Sequence, residues 1–153
     1  MIALPDPPLR SGVLVLRPWR PEDAPTLVAA WGDPEIRRWT GVPERRDLTA
    51  AEHWIAGDEA RRRLELSLDL VVEREGVVAG EVGLSSIDRD AGTADIGWWT
   101  AAADRRQGVA TAGATLLVGW TRDHLGLTAI ARCDAANPGS VAVAERAGAM
   151  VLL

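Results

Sequence analysis

The sequence predicts an α/β fold of the α+β kind, a mixed and mainly antiparallel sheet flanked by helices, and two observations lead to it. Between Leu66 and Trp99 apolar residues tend to recur at every second position, and two polar, glycine-bearing turns divide the stretch. That is the pattern of an antiparallel meander of three strands. Beyond it lie a basic turn, a helix-period stretch and another short strand. Strand, helix and strand at this spacing close as a right-handed crossover, so the two strands run parallel in one sheet. At 153 residues the chain is expected to form one domain spanning 1–153, long enough to bury ~68–70% of its unfolded surface.

The elements follow in order. Pro5, Pro7 and Pro8 make the leader read as loosely ordered; Val13 to Arg17 is the first strand, and Pro18 ends it. Pro21-Glu22-Asp23 suits the first turn of a helix, with proline at its start and acids near its positive end. Leu27, Val28 and Trp31 carry that helix to Gly32, and Asp33-Pro34 breaks it before a short helical turn at Glu35 to Trp39. Thr49-Ala50-Ala51-Glu52 reads as a capping box with Thr49 as N-cap, opening a helix to about Arg63. The run Arg61-Arg62-Arg63 then reads as its solvated, dipole-complementing end. Leu66, Leu68, Leu70 and Val72 alternate with Ser67, Asp69 and Val71 as a half-buried strand. Arg74-Glu75-Gly76 turns into a strand from Val77 to Leu84, and Asp88-Arg89-Asp90-Ala91-Gly92 turns into Thr93 to Trp99.

Val109, Gly113, Leu116, Leu117, Trp120 and His124 share one helical face, and Gly126 is its stop. Thr128 to Asp134 is the strand after the crossover. Asn137-Pro138 opens a last helix, Pro138 to Ala147, stopped by Gly148, and Met150 to Leu153 begins a further strand.

Composition narrows the function. A net charge of −5 argues against a general nucleic-acid or anionic-membrane partner, and no segment approaches the ~18 apolar residues of a membrane span. The expected location is therefore cytoplasmic. All 17 basic residues are arginine, and seven Trp are the only aromatics. The single cysteine, Cys133, excludes an intrachain disulfide and reads as a buried inert thiol. His53 and His124 have no carboxylate–His pattern beside them, and no metal is expected.

The richest stretch is Arg105-Arg106-Gln107-Gly108-Val109-Ala110-Thr111, between a strand and a helix start. Free backbone N–H groups, the positive end of a helix dipole and two guanidinium groups make an anion site there; the alternative is a solvated loop. The chain has no lysine for a Walker loop and no Gly-x-Gly-x-x-Gly dinucleotide fingerprint.

The spacing Arg-x-x-Gly-x-Ala resembles the pyrophosphate signature of GNAT-superfamily N-acetyltransferases, Gln/Arg-x-x-Gly-x-Gly/Ala. The order of elements resembles that family over nearly the whole chain. Leu14-Val15-Leu16-Arg17-Pro18-Trp19-Arg20-Pro21-Glu22-Asp23-Ala24 and Asp33-Pro34-Glu35-Ile36-Arg37-Arg38-Trp39 are similar to its RimJ/RimL-type branch, which acetylates protein N-termini and related amines. Asn137-Pro138-Gly139-Ser140 and the following residues to Gly148 resemble that branch's Asn-x-x-Ser helix.

The resemblance implies the acyl-CoA N-acyltransferase fold, in which the fourth and fifth strands of the family order, parallel neighbours, splay apart. It implies acetyl-CoA as co-substrate, with Trp98, Trp99 and Thr100 holding the pantetheine arm. Arg105, Arg106, Gln107, Gly108, Val109, Ala110 and Thr111 would bind the pyrophosphate, and Asn137 would approach from the other side. The acceptor would be a small-molecule amine or a protein N-terminus, attacking the thioester directly. Asp95 is the first candidate base, acting through water, or else a solvent-facing strand residue; Glu81 is the second. Many members carry a tyrosine seven residues after the asparagine, where this chain has Ala144. Ser140 is then the candidate acid, or else a structural first-turn serine. The family ends in a two-strand hairpin of which Met150 to Leu153 supplies only the start, so the hairpin is expected to be lacking and the preceding strand edge left unpaired, favouring a homodimer. The alternative function is a non-catalytic acyl-CoA-binding module.

Overall fold

Glu75 and Gly76, at φ of 50° and 82°, form the two-residue turn joining β3 (Ser67–Arg74) to β4 (Val77–Asp88) in the computed structural model, which describes residues 1–153. Left-handed residues at both positions give the turn the twist that antiparallel strands need. Five more strands complete the sheet: β1 (Arg10–Ser11), β2 (Leu14–Pro18), β5 (Thr93–Thr100), β6 (Thr128–Arg132) and β7 (Met150–Leu152). They lie side by side in chain order. β1 to β5 pair antiparallel, whereas β5–β6 and β6–β7 are parallel. The predicted meander and crossover are both present.

Helices cover both faces. On one, α5 (Val109–Trp120) and α6 (Pro138–Ala147) pack through Val109, Leu117, Ala144 and Ala147 on Leu16, Leu70, Val82 and Ile96. On the other, α1 (Ala24–Gly32) and α3 (Leu48–Ala56) bring Leu27, Trp31 and Ile55 against Trp19, Val71 and Val78. Two short helices, α2 (Pro34–Trp39) and α4 (Asp58–Arg63), flank them. Burial on both sides makes β3 more than the half-buried strand expected, since Val71 is as enclosed as Leu68. No helix is long and apolar enough to cross a membrane.

Several expectations need correction. The leader is ordered: Ile2 is fully buried, its N–H donates to Arg62 O and its carbonyl accepts from Arg62 Nη1. Leu9 O accepts from Leu16 N–H, which seats β1 beside β2. The cap of α3 is Asp47, whose carboxylate accepts from Ala50 N–H at 2.8 Å; Thr49 already lies inside the helix. The helix breaks at Gly57, where Arg61 turns back to donate to Trp54 O at 2.6 Å. The arginine run is thus not a solvated end, because Arg61 pairs with Asp69 and Arg62 is buried against Asp58.

The largest correction is at the C-terminal side. A β6–β7 pair is present, so the expected lack of the C-terminal strand pair does not hold: Ile130, Ala131 and Arg132 are in parallel register with Met150, Val151 and Leu152. Cys133 N–H adds a bond to Leu152 O. The β6 edge expected to be bare is covered, and the argument it gave for a homodimer goes with it.

Candidate active site

β5 and β6 pair only between Thr93–Asp95 and Thr128–Ile130. Beyond Asp95, β5 stays with β4 as far as Gly80↔Thr100, and β6 leads away toward Asn137. The strands therefore splay, and one β5 edge is left unpaired at Trp98 to Thr100. Gly80 keeps this arm close to β4, because a Cβ there would sit 2.3 Å from Trp99 O. A cleft of about 650 Å³ fills the notch. Trp98, Trp99 and Thr100 line one side, Asn137 and Ser140 the other, and the basic turn closes the end.

That turn is built by two left-handed residues, Arg106 at φ 63° and Gly108 at φ 76°. A Cβ on Gly108 would meet nothing within 4 Å, so glycine is needed there for its backbone conformation. Gly108 is the N-cap of α5 and offers no side chain, while its carbonyl accepts the first helical bond from Ala112 N–H at 3.0 Å. Val109, Ala110 and Thr111 line the cleft, and their N–H groups precede that bond. With the dipole behind them, free N–H groups at a helix start are suited to cradle an anion.

Of the expected pyrophosphate residues, all but Gln107 line the cleft. Gln107 is turned outward, accepting from Arg74 and donating to Ala103 O. Arg106 is exposed and unpaired, while Arg105 donates to Asp33 Oδ1 at 2.9 Å. The same Asp33 oxygen accepts from Glu35 and Ile36 N–H, capping α2, so one carboxylate joins the turn to that helix and lies below its ordinary pKa, Arg105 being the first cause.

Asn137 caps α6 by accepting from Ser140 N–H at 3.2 Å, which leaves its NH2 group uncommitted. The Ser140 hydroxyl makes no bond within the protein. Several parts of the cleft were missed from sequence. Arg146 lines it from the α6 face that carries Gly139, Ala142 and Val143, a three- and four-residue spacing that could have pointed to it. Glu35, Ile36, Trp39 and Thr40 wall it from α2 and its end, with Asp104 beside the basic turn, and nothing in their local sequence signals that.

A second pocket of about 380 Å³ lies on the other side of the β5 arm and shares Ile36, Thr40, Trp98 and Trp99 with the cleft. Glu81 lies in its lining, on β4 opposite Trp99. Trp19 Nε1 donates to Glu81 Oε2 at 2.7 Å, and the Trp19 ring lies 6.1 Å from both Trp54 and Trp99. Burial pushes the Glu81 carboxyl up to about 8, Asp69 adding to the shift and the indole donors opposing it. Asp69 is itself raised by burial, against bonds from Ser67 and Arg61.

Asp95, the first candidate base, lines neither pocket. It is four residues along β5 from Trp99, ~13 Å at strand spacing, and it accepts from Arg132 Nε at 2.9 Å. Cys133 lies outside both pockets, with its thiol raised by burial and Glu145. No group of three His, Cys, Asp or Glu side chains is placed to hold a metal ion.

Residues 13–150 match the family model described as the acetyltransferase (GNAT) domain. No curated protein matches significantly. Among solved structures, Mycobacterium smegmatis RimJ in complex with CoA-disulfide is similar at a TM-score of 0.78 and 25% identity, covering 90% of this chain and 71% of RimJ. The microcin C7 self-immunity acetyltransferase MccE, in complex with acetyl-CoA and AMP, is similar at 0.78 and 22%, covering 90% and 79%. A Salmonella typhimurium acetyl transferase that modifies the N-terminal serine of 50S ribosomal subunit protein L7/L12 is similar at 0.75 and 17%, covering 90% and 80%. The last two likenesses are of fold.

Proposed function

The chain belongs to the GNAT acetyltransferase family, enzymes that move an acetyl group from acetyl-CoA to an amine, and from that premise we propose how its own residues divide the work. The acceptor is a protein or peptide N-terminal α-amine, or a small amine of similar reach. The Salmonella typhimurium protein, which modifies an N-terminal serine, is one reason for this order of preference. Chemistry is another. An α-amino group of pKa ~8 is about a tenth neutral at pH 7, so it needs little help from a base.

The observation that carries the reading is the junction of the two pockets at Trp98 and Trp99, with the anion cradle on one side and Glu81 on the other. The cleft's donor set fits a pyrophosphate: the N–H groups of Val109, Ala110 and Thr111, with Arg106 and Arg146 unpaired beside them. The free β5 edge at Trp98 to Thr100 suits the amide-bearing pantetheine arm, and the Asn137 NH2 approaches from across the notch. When bound, acetyl-CoA supplies the activated thioester. Glu81 accepts the proton the amine sheds as it attacks, and a carboxyl near 8 is well matched to that task. Ser140 stands at the cleft as a hydroxyl donor toward the departing sulfur. Asp95, held by Arg132 beside the parallel pair, is better placed to brace β5 against β6 than to take a proton.

Free CoA release from acetyl-CoA, measured against N-terminal peptides and small primary amines, tests the reading. Turnover of at least one amine is expected, alongside thermal stabilisation by acetyl-CoA alone. Stabilisation with no CoA release from any amine would overturn the proposal.

A further inference from the structure

The two pockets differ in their cations. Arg105, Arg106 and Arg146 border the cofactor cleft beside Glu35 and Asp104, whereas the 16 residues lining the second pocket include no Arg or His. Its only ionisable linings are Asp69 and Glu81, diagonal neighbours facing one side of the sheet, since Asp69 pairs with Gly83 and Val71 with Glu81. The nearest guanidinium, Arg61, is already committed. It pairs with Asp69 at 3.2 Å, donates to Trp54 O at 2.6 Å and stacks 4.2 Å over the Trp54 ring, outside the pocket wall. The walls themselves are indole and aliphatic, from Trp31, Trp54, Trp98, Trp99, Leu27 and Val42. The Trp19 donor that might have served a ligand is taken by Glu81.

From this we infer that the second pocket takes a primary amine flanked by an uncharged apolar group, and rejects amines bearing a carboxylate or phosphate next to the reacting nitrogen. The inference rests on the acetyl-transfer reading above and adds the acceptor's chemical class. An ammonium approaching this pocket meets indole faces, which attract it, and the Asp69 carboxylate beside them. An α-carboxylate would find no free cation in this lining to pair with, and it would lose its water on entry. Peptide N-termini and apolar monoamines therefore fit, whereas free amino acids and N-terminal acidic residues do not.

Two matched pairs test it by CoA release. Leucine and leucinol share a side group and have amines of similar basicity, but only leucine carries a carboxylate. Two peptides differing only in Asn or Asp at the N-terminus make the same comparison in a longer acceptor. The expected result is that kcat/KM favours the uncharged member of each active pair by at least about thirtyfold, as burying a carboxylate without a partner cation dictates. Asp69→Asn should shrink that ratio several-fold, a readout taken within one preparation and so independent of the folded fraction. Equal use of both members, or a ratio that Asp69→Asn leaves unchanged, would overturn the charge inference while leaving acetyl transfer standing. No CoA release from either pair or from any other amine would overturn both.

Discussion

A carboxyl group raised to about 8 costs the folded protein stability whenever it ionises, and Glu81 is such a group. Its ordinary value is 4.5, so between the two values the native state holds a proton that the unfolded chain has released. Its stabilising share is complete below 4.5 and is lost as pH rises through 8. Glu81→Gln keeps the shape and removes the titration. The variant is expected to melt higher than the wild type at pH 9 and close to it at pH 5, while kcat falls ~10²-fold through loss of the base. Thermal melts at the two pH values and CoA-release kinetics check both halves; a variant destabilised more at pH 9 than at pH 5 would refute the protonated carboxyl. Asp95 ranked ahead of Glu81 because the family resemblance places an acid near that point of its strand, while alternation alone would make it a solvent-facing residue. Alternation tells which face a side chain takes, not which rung it occupies. The indoles that bury Glu81 come from residues as distant as Trp19, and only the folded sheet assembles them.

Elements were legible wherever their punctuation is local. α6 was read with its true ends because Asn137, Pro138 and Gly148 mark cap, first turn and stop within the helix itself. The cap of α3 was misplaced by two residues because Asp47 and Thr49 both suit the role, and the bond Asp47 makes to Ala50 N–H decides it. The ordered leader and the β6–β7 pair rest on partners at long range, Arg62 for Ile2 and Ile130 for Met150, which no local pattern reveals. The cleft was legible for the same reason as α6, since turn, glycine and helix start are contiguous, whereas its α2 wall was not. Because Asn137 both caps α6 and borders the cleft, its two roles can be separated. Asn137→Ser retains a capping oxygen but loses the NH2 donors, whereas Asn137→Ala loses both. The alanine variant should lose ~1 kcal/mol of stability together with acetyl-CoA affinity. The serine variant should melt within a degree or two of wild type and still bind acetyl-CoA several-fold more weakly, as titration calorimetry would read. Equal affinity of the serine variant and wild type would confine Asn137 to capping.

At the scale of the whole molecule, a chain of net charge −5 must attract a polyanionic co-substrate, and it does so by placing its cations unevenly. Elsewhere most arginines are spent on neighbours, as Arg17 is on Asp23 and Glu73, or Arg89 on Glu65. Arg106 and Arg146 have no acidic partner and border the same cleft. Acetyl-CoA at a hundred times its Kd should add ~2.7 kcal/mol of stability, a rise in Tm of roughly 5–11 °C for a chain of this length. Because exposed charges carry part of that binding, the rise at fixed ligand concentration should shrink between low and high salt, as the Debye length falls from ~10 Å at 0.1 M to ~3 Å at 1 M. Neither arginine supports the core, so the double variant Arg106→Ala, Arg146→Ala should keep the Tm of the unliganded protein. It should lose most of the ligand-induced rise and most of its salt dependence. A double variant with an undiminished, equally salt-sensitive rise would mean that the N–H groups of Val109 to Thr111 hold the pyrophosphate without these cations.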